Sequence, residues 1–347
     1  MRSHCALYVD AGYLLAASAT RITGTSLRSS IEADHERLID ALIAHATERS
    51  GLPLLRVHWY DAARDGVPDD SQQKIGLLPR VKLRLGRIGF DGEQKGVDLR
   101  IGLDLVAHAR NAAVDAVFLV SGDDDLAEAV EEAQALGVQV TILAVPNKSG
   151  EPHGVSRHLQ GAADGLDLLT GEALDAAVKP RTAVLEPTPV ATPAVTVPRP
   201  VPVPGPSQVP TPTLLANRPI APKPAVPMTP TAPATPATRP IRTGAGLVYS
   251  STTGLGTTTG SEIVKAEDLK TIDEVVTRVL NTWLDGRTAE QRDELTASRP
   301  SIPQDVDRAL LLDLSDALGV YYLSDTIRYR LRARFWAKVD ESEQTSS

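Results

Sequence analysis

Three aspartates stand in a row in LVSGDDDLAEAV, residues 119–130. An apolar run precedes them and a helical pattern follows, so they fall between a strand and a helix. Two other aspartates occupy comparable places. Asp10 ends the apolar run CALYVD, and Asp98 opens a helical pattern just after Lys95-Gly96. Open parallel sheets bind ligands beyond the carboxyl ends of their strands. If the strands ending near Asp10 and Ser121 are neighbours, Asp10 and Asp123 meet at that edge, with Asp98 on the helix leading into the second strand. Two carboxylates about 4 Å apart repel by about 4 kcal/mol at an effective dielectric near 20. Either some carry a proton or a divalent cation lies among them. Magnesium takes oxygen ligands and keeps several waters, which suits carboxylates at an open crevice. The seven histidines show no metal-ligand spacing, so zinc is not expected. Asp104 is six residues beyond Asp98, about 240° around the helix and about 9 Å along it, and belongs to the surface or to a supporting layer.

Capping competes with this account. An aspartate between strand and helix accepts the first free amides, and acidic residues in a first turn offset the helix dipole. One of Asp123, Asp124 and Asp125 can cap, and Asp98 can cap its own helix. Asp10 is harder to explain that way, because it ends a buried strand and Ala-Gly follows.

The elements that would position these residues alternate between strand and helix. CALYVD, LLRVHWYD, VKLRLGRIG, DAVFLVS and VQVTILAV read as strands. EADHERLIDALIAHATERSG, VDLRIGLDLVAHARNAA and DDLAEAVEEAQALG read as helices, with Gly51 and Gly137 as stops. The rhythm over residues 1–179 implies an α/β fold, a mostly parallel sheet with helices on both faces. Of the 26 prolines, 19 fall between Pro180 and Arg242, and a Gly/Thr/Ser stretch continues to Ser261. Residues 180–261 are therefore expected to form a disordered, partly polyproline-II linker, which also offers a docking strip for a proline-reading partner. Residues 262–347 read as a small all-α domain of four segments, with Pro303 at a helix start and Gly319 at a stop. Its Arg328 and Arg332 flank an apolar stripe, so the domain is a candidate nucleic-acid, partner or self-association surface.

The formal net charge of −8 excludes a generally basic surface, so any nucleic acid must be held by a local patch. The single cysteine, Cys5, lies in an apolar run, and a chain that forms no internal disulfide is expected in the cytoplasm. No apolar stretch approaches a membrane span, and no secretion signal is visible.

Three ordered motifs, YVDAGYLLA, KGVDLRIGLD and LVSGDDDLAEAV, resemble the NYN domain, a PIN-like nuclease of the LabA/DUF88 type. The resemblance covers about residues 4–170 and includes the closing HGVSRHLQGAADGLDLL. It implies a PIN-like fold and matches Asp10, Asp98 and Asp123 to the metal-site acids and Asp125 to the second aspartate of S-G-D-x-D. Ser121 matches the serine that supports the site, and Asp124 falls on the variable position. Many relatives carry asparagine where this chain has Tyr13, a departure that bears on activity more than on fold.

The expected function is a ribonuclease dependent on Mg2+ or Mn2+, hydrolysing RNA phosphodiesters, with Lys95, Arg84, Arg80 and Arg87 as phosphate contacts. The alternative is a weak or inactive NYN module that binds RNA or a protein partner, and a homo-oligomer fits either. A phosphatase-type site lacks the second acid expected close after Asp10.

Overall fold

The computed structural model describes residues 3–88, 94–181, 266–285, 287–320 and 322–346. Residues 182–265, most of the expected linker, lie outside the described residues. The first part of the chain runs β1 (Cys5–Asp10), α1 (Ala11–Thr23), β2 (Ile31–Ala33), α2 (His35–Ser50), β3 (Leu54–Arg64), α3 (Asp70–Gly76), β4 (Val81–Ile88) and β5 (Gln94–Lys95). It continues with α4 (Val97–Arg110), β6 (Ala116–Val120), α5 (Ala127–Ala135), β7 (Gln139–Ala144), α6 (Arg157–Ala162), β8 (Gly165–Leu168), α7 (Gly171–Ala177) and β9 (Val178–Pro180).

The main sheet has the order β5-β4-β3-β1-β6-β7-β8. Every pair in it is parallel except the short edge pair of β4 with β5. β1 is central and apolar along its length, as a strand covered on both faces must be. Its alternate residues feed two cores. Leu7 and Val9 join Trp59, Phe118 and Val120 under α1 and α2, whereas Ala6 and Tyr8 join Tyr60, Val117 and Leu119 under α4 and α5. The order reverses at β1, which has β3 on one side and β6 on the other, so a crevice opens at its carboxyl end. β2 and β9 form a separate antiparallel pair, which carries ordered chain through Pro180.

The C-terminal part holds the four expected helices: α8 (Ala266–Asp285), α9 (Ala289–Ala297), α10 (Gln304–Leu318) and α11 (Asp325–Ser346). The stripe on α11 is buried at Leu331, Phe335 and Val339, against Val275 and Val279 of α8 and Leu310 and Leu314 of α10. Gly319 ends α10 in a left-handed conformation, with φ of +64°. The α/β part and these helices form one compact unit. Leu27, from the loop after α1, is fully buried among the helices, and the Ser26 amide donates to Asp313 Oδ1 at 2.9 Å. No helix among the described residues is long and apolar enough to cross a membrane.

Candidate active site

β1 and β6 are parallel neighbours, with Val9 opposite Val120, so Asp10 and Ser121 leave the sheet side by side. Asp10 caps α1: its Oδ1 accepts from the Tyr13 amide at 3.2 Å. Its Oδ2 accepts from the Ser121 hydroxyl at 3.4 Å. Ser121 is fully buried, and its Oγ accepts from the Asp123 amide at 3.3 Å. Ser121 thus bridges the carboxylate of one strand to the turn after the other.

The three consecutive aspartates do three different things. Asp123 caps a 3-10 turn over Asp124–Leu126, accepting from the Asp125 amide at 3.2 Å. Asp124 turns away and accepts from the Ser156 hydroxyl at 2.6 Å, with His158 Nδ1 at 3.6 Å, which ties the turn to the start of α6. Asp125 is exposed. The helix expected from Asp124 onward therefore begins as a 3-10 turn and becomes α-helical at Ala127.

Asp98 is the second residue of α4, behind Gly96, whose φ is +77°. Burial, reinforced by the charges of Asp123, Asp10 and Asp125, raises its pKa to about 6. Asp10 is also raised above the carboxylate range. Burial is the main cause, and Asp123 adds to it, while the Tyr13 amide and the Arg308 charge oppose it. Sheet and helix thus gather Asp10, Asp98 and Asp123 into one electrostatic cluster, with Asp125 at its exposed margin. Such a cluster is rich in hard oxygen donors, the donor chemistry that suits magnesium or manganese. Among the described residues, however, no three His, Cys, Asp or Glu side chains are drawn together as a ready coordination cage.

The expected phosphate contacts are dispersed. Arg84 is held by Asp104, with Nη2 2.9 Å from Oδ1 and Nε 2.8 Å from Oδ2, and the Tyr60 hydroxyl donates to the same carboxylate at 3.0 Å. Asp104 is accordingly a supporting residue. Arg80 and Arg87 are exposed, and the side chain of Lys95 lies outside the described residues.

Tyr13 proves to be a packing pin. Its hydroxyl donates to the His153 carbonyl at 2.9 Å and accepts from the Val145 amide at 3.3 Å. Its ring lies against Gly122 and Gly154. Reading the sequence also missed Asp61 of β3 and Arg308 of α10, both beside the crevice. LLRVHWYD closes on an aspartate much as CALYVD does, which is a usable signal for Asp61. Nothing in the local sequence marks Arg308.

Residues 4–168 match the NYN domain family, so this part of the chain is an NYN domain, a PIN-like nuclease-type fold of a class that generally uses divalent metals. An uncharacterized protein of Sinorhizobium fredii, y4oD, is 38% identical over 102 residues, covering 29% of this chain and 48% of that protein. The chain spans about half the length of this curated relative. The crystal structure of a protein of unknown function from Vibrio parahaemolyticus, VPA0982, matches at a TM-score of 0.36 and 24% identity, over 49% of this chain and 95% of the other.

Proposed function

We propose that this chain is a metal-dependent ribonuclease that hydrolyses RNA phosphodiester bonds. The observation that supports the reading is the placement of Asp10 beside Ser121 and the Asp123 turn at the switch point of the sheet, with Asp98 near enough for their charges to raise its pKa. These three residues would hold magnesium or manganese, with Asp125 assisting from the margin. A divalent cation supplies Lewis-acid chemistry there, shielding phosphate charge and lowering the pKa of water. Ser121 fixes the Asp10 carboxylate through its hydroxyl, and Asp123 is oriented by the turn it caps. Asp98 is held at the head of α4 and is drawn toward its ionised form as positive charge enters the cluster. The acidic total charge fits a site that binds RNA by local contacts. The test is purified full-length chain with mixed RNA and manganese. Asp10→Asn and Asp123→Asn should each abolish cleavage, and cleavage by both at the wild-type rate would end the idea.

The absence of a ready carboxylate cage among the described residues favours a second reading, an NYN module that binds RNA with little turnover. Calorimetric titration of magnesium separates the two, since binding that Asp123→Asn removes supports the enzyme.

A further inference from the structure

The helical part is docked where it can reach the crevice. Besides Leu27 and the Ser26–Asp313 bond, the Ser29 hydroxyl donates to Asp305 Oδ2 at 2.5 Å, and Arg287 lies 3.8 Å from the same carboxylate. These contacts set α10 beside the turn at Arg28–Ser30. Between them is a cleft of about 270 Å³, lined by Arg28, Asp61, Gln72, Gln304, Asp305 and Arg308.

Two arginines in one cleft repel, and Arg308 is lowered from the usual arginine range by burial and by the Arg28 charge. Among the described residues, no hydrogen bond or close ion pair engages either guanidinium. The carboxylates lining the cleft make their hydrogen bonds to other groups: Asp61 accepts from Gln72 Nε2 at 2.7 Å, Asp69 from the Gln72 amide at 2.8 Å, and Asp305 from the Ser29 hydroxyl. Both sets of guanidinium donors in the cleft are thus left without a hydrogen-bonded partner among the described residues. Arginine donors form a planar fork that matches phosphate oxygens in pairs. The position is equally specific. Tyr60 is the register partner of Asp10, so Asp61, which lines the cleft, leaves β3 beside the end of β1 and sets the cleft next to the candidate site.

We propose that Arg308 of the helical domain, with Arg28 of the NYN domain, binds a backbone phosphate of the RNA next to the scissile one, so that the active site spans both parts of the chain. This rests on the ribonuclease reading for the identity of the ligand. It gives the helical domain a direct substrate contact, made by two arginines far apart in sequence.

The experiment measures anisotropy of a short fluorescein-labelled oligouridylate with full-length protein across a salt series, with cleavage assayed in parallel. Arg308→Ala and Arg28→Ala should each weaken binding about tenfold, a loss within the range of one charge-assisted hydrogen-bonded contact. Each should also lower the slope of log affinity against log salt by about one. Arg308→Lys, which keeps charge but not the fork, should recover part of the slope. Thermal melts confirm that each variant is folded, and Arg28, on the opposite wall, provides the readout should the α10 variant not fold. Wild-type affinity and slope in folded variants would overturn the proposal. So would faster cleavage by Arg308→Ala, which would make the arginine an internal counter-ion that blocks the site, and so would failure of the wild type to bind the oligonucleotide. Binding without cleavage by the wild type would refute the nuclease reading alone, leaving the arginine contact to stand on the affinities.

Discussion

Gly122 and Gly154 approach so closely that a Cβ on Gly122 would stand 1.7 Å from the Gly154 carbonyl oxygen. The same Cβ would meet the Tyr13 ring at 3.0 Å. The loop before α6 is thus clamped onto the Ser-Gly-Asp turn, and the Ser156 amide donates to the Gly122 carbonyl at 3.0 Å. Gly122→Ala forces backbone against backbone, so one of the two loops must move. We expect a loss of about 1–3 kcal/mol in urea unfolding, typical of overpacking. Cleavage should fall further than the lost stability explains, because Asp123 moves with the turn. A variant with unchanged stability and activity would show that the contact is not maintained in solution.

Tyr13→Phe isolates the other half of this clamp. It keeps the ring but leaves the Val145 amide and the His153 carbonyl without the hydroxyl. The expected cost is about 1–3 kcal/mol, as for partly buried groups deprived of a partner. Metal affinity should be little changed, because the Asp10 carboxylate is met by the Tyr13 backbone amide and not by its side chain. A large loss of metal affinity in calorimetry, with stability intact, would contradict this division of roles.

Asp98 gives a signed prediction for metal-free protein. Its folded pKa is raised from 3.8 to about 6. The folded state therefore binds the proton more tightly than the unfolded one. The associated stability is fully present below the unfolded pKa and is lost as pH rises through about 6. At neutral pH without divalent cations the ionised carboxylate weakens the fold, and Asp98→Asn should stabilise it by roughly 1–2 kcal/mol after allowance for solvent screening. Magnesium should raise the melting temperature of the wild type and much less that of the variant. Melts at pH 7 with chelator, then with magnesium, test both parts. A destabilised metal-free Asp98→Asn would show that the carboxylate serves mainly as a structural cap.

His58 runs in the opposite sense. It is 2% exposed, its ring lies 4.8 Å from that of His108 and 5.0 Å from that of Tyr8, and the Tyr8 hydroxyl meets His108 Nδ1 at 2.5 Å. Burial, aided by the His108 charge, lowers its pKa from 6.5 to about 3, against the pull of Asp104. The unfolded chain binds this proton more readily, so stability is present above pH 6.5 and is lost as pH falls toward 3. His58→Gln should flatten the acid limb of a melting-temperature profile between those values. An acid limb of unchanged slope would assign that loss to other groups.

The parts of the fold that were legible are those written in local patterns. Apolar runs closed by aspartate marked β1 and the end of β6, and helical spacing marked α2, α4 and α5. α1 went unread because its alanine-rich face carries few of the large apolar residues that signal a period. Asp10 and the turn at Ser121–Asp123 could be placed side by side because β1 and β6 are parallel neighbours. Arg84 was less legible: alternation gave its face of the strand, but its partner Asp104 comes from a helix that only the tertiary structure lays across it. Arg308 was not legible at all. It comes beside the Arg28–Ser30 turn because Leu27 is buried in the helical core and Ser26 and Ser29 bond Asp313 and Asp305 of α10.

That leucine carries the last prediction. Leu27 is fully buried among Val276, Leu310 and the other apolar residues of the helical core, although it follows α1 of the NYN domain. Truncating a buried leucine to alanine removes side-chain burial and leaves a cavity, at a cost of about 2–5 kcal/mol. Leu27→Ala should weaken the association of the two parts as well as the helical core. Amide exchange should then quicken in α10 and at the turn Arg28–Ser30, while β1 and β6 keep their protection. Asp313→Asn should act in the same direction and more mildly, since it leaves an acceptor for the Ser26 amide. Arg308 would lose its fixed place with α10, so oligonucleotide affinity should fall in both variants, although neither substitution touches the cleft. Unchanged exchange at the Arg28–Ser30 turn in Leu27→Ala would mean that the helices are not held there, and that Arg308 reaches the carboxylates by some other route or not at all.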